Sequence, residues 1–129
     1  MRKPSEFKSH PHKLAGMIFR GVVRHVVDGD TIDVFLDLGF NQYSYQTIRV
    51  RDLNTPELVG TVGEDRKKAL DAKAFLESLF RRNPEVSVVT FRDKTTFGRY
   101  LADVSVCFYG GQWEDLATLM KSQGFHVEA

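Results

Sequence analysis

The chain has 129 residues, of which 42% are hydrophobic, and a formal net charge of +1; that is the size of one folded domain around a single closed core. Its single cysteine excludes an internal disulfide, no Cys/His spacing suits a zinc site, and no apolar run approaches the roughly 20 residues of a membrane span. The near-neutral total decides nothing about nucleic acid, because a basic site can lie beside acidic surface.

Residues 1–16 carry Arg2, Lys3, Lys8 and Lys13 without a periodic apolar face, so they read as a flexible basic arm preceding a domain over 17–129. The start has no hydrophobic leader segment, which gives the expectation of a cytoplasmic protein with no membrane partner and a monomer as the default. From Met17 the pattern is that of strands. MIFRGVVRHVV is rich in β-branched and aromatic residues, and TIDVFLDL alternates with Ile32, Val34, Leu36 and Leu38 on one face. GFNQ signals a turn. YSYQTIRVRDL predicts a third strand, with Ile48 and Val50 facing inward and Arg49 and Arg51 outward, ended by Asn54, Thr55 and Pro56.

A loop with Gly60 and Gly63 precedes GEDRKKALDAKAFLESLFRRNP, where Ala69, Ala72, Phe75 or Leu76, and Leu79 or Phe80 recur at helical spacing. EVSVVTFR predicts a fourth strand, DKTTFG a turn, and RYLADVSVCFY a fifth strand with Cys107 as a buried, inert thiol. WEDLATLMKSQG reads as a short helix with Leu116, Leu119 and Met120 inward and Gly124 as its stop. Five strands with a helix between the third and fourth, and a short C-terminal helix, predict an α+β, mainly β fold: a five-stranded OB-type barrel.

Two stretches carry the chemistry, DGDT at 28–31 and RVRDLNTPE at 49–57. Hydrolysis of a phosphodiester needs a cation on the phosphoryl oxygens, a positioned water, and fixed positive charge where charge develops. Asp30 and the Asn54 amide offer hard oxygen donors of the kind calcium or magnesium prefers. Glu57 is suited to orienting or deprotonating a water, and the planar fork of Arg49 to holding a phosphate. Taken alone, Asp28-Gly29 is also an ordinary turn signal.

The ordered set DGDT, R-x-x-x-x-N-T-P-E and F-G-R, with a helix between the second and third, resembles the staphylococcal nuclease (thermonuclease-like) family over roughly Val22 to Gly124. The resemblance implies calcium-dependent hydrolysis of DNA or RNA on an OB barrel. It implies calcium binding by Asp30, by residue 54 and by the Thr55 carbonyl, activation of water by Glu57, a phosphate clamp by Arg49 and Arg99, and Phe97 near the nucleotide. Asp28 is then an acid behind the site. Asn54 stands where the family prototype has a second aspartate, so weaker calcium binding is expected. After GFHVEA no tyrosines follow to stack on a base as in the prototype, so base binding is expected to be looser. The competing reading is a barrel that binds nucleic acid or protein without catalysis.

Overall fold

The computed structural model describes residues 17–96, 99–108 and 111–128, without the side chains of 92–96; the expected basic arm over 1–16 and Phe97 lie outside the described residues. The elements are β1 (Ile18–Asp28), β2 (Thr31–Gly39), β3 (Gln42–Val50), α1 (Gly63–Arg82), β4 (Glu85–Thr96), β5 (Arg99–Cys107), β6 (Trp113–Asp115) and α2 (Leu116–Ser122). The sheet order is β3-β2-β1-β4-β5-β6, and a parallel pairing of β3 with β5 joins Ile48 to Tyr100, Arg49 to Leu101 and Val50 to Ala102. That pairing closes five strands into a barrel, with β6 as an additional strand on β5. The expected OB-like α+β architecture is the one observed.

Alternation along the strands builds the core. Ile32, Val34 and Leu36 of β2, Ile48 and Val50 of β3, and Ala102, Val104 and Val106 of β5 are all buried. Leu38 departs from the expected row at 40% exposed, because it lies next to the Gly39–Asn41 turn at the end of the β2–β3 hairpin. Cys107 also departs: it follows inward-facing Val106 and is only half-buried. Helix α1 covers one side of the barrel with Ala69, Ala72, Leu76 and Phe80 buried, and Glu64 and Asp65 in its first turn suit the positive end of its dipole.

Three boundaries differ from the sequence expectation. The third strand stops at Val50, and Asp52 takes a left-handed conformation, φ +62, that turns the chain back. The stretch expected as a turn at 93–96 belongs to β4, where Thr95 and Thr96 pair with Tyr100 and Arg99 after a register shift. Pairing with a partner strand overrides the turn character of those polar residues. Trp113–Asp115 forms β6 rather than the start of the helix. The helix starts at Leu116 because the Asp115 carboxylate accepts the Thr118 N–H at 3.0 Å, capping it there. Among the described residues no helix is long and apolar enough to cross a membrane.

Candidate functional site

Gly29 and Asp30 form the tight turn between β1 and β2, and its closeness to α1 depends on a missing side chain. A Cβ on Gly29 would lie 2.6 Å from the Ala72 Cβ and 2.9 Å from the Thr55 hydroxyl oxygen. Gly29 therefore lets the helix, the turn and the 53–55 segment meet. Asp30 is 4% exposed. Its Oδ1 accepts the Thr31 hydroxyl at 2.9 Å, its Oδ2 accepts the Thr55 backbone N–H at 3.1 Å, and Arg49 Nη2 lies 3.5 Å from Oδ2. The backbone adds a stitch, since Val50 N–H donates to the Asp30 carbonyl at 2.8 Å.

Arg49 faces outward near the end of β3, and the left-handed turn at Asp52 brings residues 53–54 back past it. Its Nη2 donates to Asn54 Oδ1 at 3.1 Å and approaches the Leu53 carbonyl at 3.4 Å. Asn54 is in turn fixed by the C-terminal segment. Its backbone N–H donates to His126 Nδ1 at 3.0 Å, its Nδ2 donates to the Val127 carbonyl at 3.2 Å, and its carbonyl accepts the Val127 N–H at 2.7 Å. The amide end of Asn54 is thus spent on Val127, and its oxygen end faces Arg49.

Thr55 is buried, and its hydroxyl oxygen has no hydrogen-bond partner. Glu57 is exposed in the loop that follows. It is joined to the group through Asp28, whose Oδ1 accepts the Leu58 N–H at 3.4 Å. Burial pushes the Asp28 carboxyl above its ordinary pKa, and the charges of Asp30 and Glu57 add to that rise, against the Leu58 N–H and Lys73, which oppose it. Arg99 opens β5 two residues before Leu101, the partner of Arg49, so alternation places it on the same face about 7 Å along the strand. Phe97 lies outside the described residues.

The structure thus gathers Asp30, Arg49, Asn54 and Thr55, and leaves Glu57 at the rim. It also adds residues that carried no local signal. A cleft of about 440 Å³ is lined by Arg49, Asn54, Leu101, Lys121 and His126, among others. Lys121 and His126 read in the sequence only as the end of a helix and a tail; the 72 residues between Asn54 and His126 hid their partnership.

A calcium ion is the cofactor the sequence resemblance implies, and the donor set fits a hard divalent cation. Asp30, with Asp28 and Glu57 near it and the Asn54 amide oxygen, supplies hard oxygen donors, and Arg49 and Lys73 are the cations beside them. Among the described residues no three acidic, histidine or cysteine side chains converge closely enough to enclose an ion. A bound ion would therefore need amide and backbone oxygens to complete its shell.

Compared with models of known families and with curated proteins, the chain matches none.

Proposed function

We propose that this chain is a calcium-dependent nuclease of the thermonuclease-like type, hydrolysing DNA or RNA phosphodiester bonds by in-line attack of water. The observation that carries the reading is the convergence of Asp30, Arg49, Asn54 and Thr55 at the edge of a cleft that Lys121 and His126 also line. Those residues offer oxygen donors on one side and cationic donors on the other, the two things a phosphodiester site needs.

The ion would be held by the Asp30 carboxylate, the Asn54 amide oxygen and the Thr55 carbonyl, and when bound it supplies positive charge that offsets the repulsion between phosphate and the attacking oxygen. Arg49 makes its contacts through Nη2. Its Nε and Nη1 would then take a phosphate, with Arg99 as the second arm of the clamp on the adjoining strand. Glu57, exposed at the rim, orients the water and takes its proton. The clamp binds the phosphate in the ground state and strengthens as equatorial charge builds.

A second reading has one observation in its favour. Arg49 Nη2 lies 3.5 Å from Asp30 and 3.1 Å from Asn54, against two of the oxygens a cation would need; a guanidinium settled there describes a nucleic-acid-binding barrel without turnover. Cleavage of single-stranded and duplex DNA and RNA, with calcium, magnesium, manganese or chelator, decides between them. Turnover that chelator abolishes and calcium restores is the expected result. Tight binding with no turnover under any metal would replace the nuclease with the binder.

A further inference from the structure

A second surface extends from this site along the outside of the barrel. Because side chains alternate along a strand, the outward row of β3 runs Tyr43, Tyr45, Thr47, Arg49. Tyr43 and Tyr45 are 53% and 54% exposed. Across the ladder on β2, Phe35 pairs in register with Tyr45 and stacks on Tyr43, with ring centroids 5.0 Å apart and planes 10° from parallel. The Arg24 guanidinium of β1 lies 5.8 Å from the Phe35 ring centre, and a shallow groove of about 350 Å³ runs between Arg24, Phe35 and Tyr43.

Aromatic pairs of this kind stabilise a hairpin, but that role does not require a row of half-exposed rings leading to a phosphate-binding arginine. Two acids on this face, Asp33 and Asp37, are hydrogen-bonded, and a third, Glu85, lines the groove together with Arg20 and Arg24. Asp33 accepts the Thr47 hydroxyl at 2.6 Å and lies 3.3 Å from His25, and Asp37 accepts the Gly39 N–H at 2.9 Å. The face therefore offers two half-exposed tyrosine rings, one of them already stacked on Phe35, beside the exposed Arg24.

We propose that this β1–β2–β3 face binds single-stranded nucleic acid and carries it to Arg49, with bases stacked on Tyr43 and Tyr45 and backbone phosphate taken by Arg24. The occupant follows from the chemistry. Flat rings stack only on bases not enclosed in a duplex, and arginine complements the phosphate between them. Tyr45 and Arg49 are four positions apart along the strand, about 13 Å, more than one nucleotide step, so the two act on separate nucleotides of one strand. The proposal rests on Arg49 as a phosphate binder and narrows the substrate of the nuclease reading to an unpaired strand.

The test is fluorescence anisotropy of the full chain with a labelled 12-nucleotide single strand in chelator, beside a duplex of the same sequence. Tyr45→Ala and Tyr43→Ala should each weaken single-strand binding about 5- to 150-fold, the range of one lost stack. Tyr45→Phe should bind single strand as the native chain does. Both alanine variants binding as the native chain does, or losing single strand and duplex equally, would overturn the proposal. So would a dimer of the native chain that Tyr45→Ala dissociates, since a second copy would then be the occupant. Tyr45-dependent binding without any cleavage supports this surface and removes only the nuclease reading.

Discussion

Two arginines two residues apart, Arg49 and Arg51, each face an aspartate, and the contrast between the pairs separates structure from function. Arg51 meets Asp103 of β5 through two contacts of 2.9 and 3.3 Å and lies 4.8 Å from the centre of the Phe91 ring. Its side chain is 41% exposed and that of Asp103 33%. Arg49 meets Asp30 at 3.5 Å through a nitrogen it shares with Asn54, although the Asp30 side chain is only 6% exposed. The well-made pair is half-exposed, where it contributes little, and the loosely made pair joins an arginine 25% exposed to a buried carboxylate, where an imperfect match is costlier. A fold optimised for stability alone would have the two the other way round. Under the proposed function, a ligand would compete for the same Asp30 oxygen and Arg49 nitrogen.

Asp30→Ala should break that contrast most strongly. It leaves the buried Thr55 N–H without its acceptor and the Arg49 guanidinium without its carboxylate, so urea unfolding should show a loss of about 3 to 5 kcal/mol. Asp103→Ala should lose about 1 kcal/mol or less. Equal losses would mean that the burial of the Asp30 pair has no energetic consequence.

Turnover should separate the arginines next. Arg49→Ala and Arg99→Ala should each cut kcat by about 10²- to 10³-fold and raise KM by much less, as expected when a donor that holds the phosphate acts mainly on transition-state charge. Arg51→Ala should leave kcat nearly as it was. If KM rises while kcat holds, the arginines only bind phosphate.

Gly29→Ala probes what lies behind the buried pair. Its Cβ would run into Ala72 and Thr55, so α1 must shift, at about 1 to 3 kcal/mol by overpacking. Thermal unfolding should detect that loss, and turnover should fall with it because Thr55 moves.

The smallest effect concerns Asp28, whose carboxyl burial raises above its ordinary pKa, helped by Asp30 and Glu57. A raised carboxyl binds its proton more tightly in the folded chain. Stability therefore falls as pH rises from the ordinary aspartate value through the raised one, and the cost persists at neutral pH. Asp28→Asn keeps an oxygen for the Leu58 N–H and removes that cost. In chelator it should melt higher than the native chain at pH 7 and at the same temperature near pH 3. An advantage that persists in acid would show that charge is not its cause.

Much of the barrel was legible because its signals are local. The alternation of Ile32, Val34 and Leu36 and the helical spacing of Ala69, Ala72, Leu76 and Phe80 each follow from the period of one element. The polar run before Thr96 and the Trp113–Asp115 stretch were misread for the opposite reason, since each becomes a strand only through β5.

For the candidate site, the sequence alone determined which chemical groups are present and in what order: Asp30 after a tight turn, Arg49 outward on a strand, Asn54 and Thr55 just beyond it. Those facts depend on neighbours a few residues away. Only the tertiary structure decided how the groups are used: that Gly29 is there for the close approach of α1, that Asn54 presents its oxygen to Arg49 because Val127 takes its amide, and that Lys121 and His126 share the cleft. Hydrogen bonds between residues some 70 positions apart leave no periodicity in the chain, because the closure of the barrel, not the spacing of residues, brings their partners together.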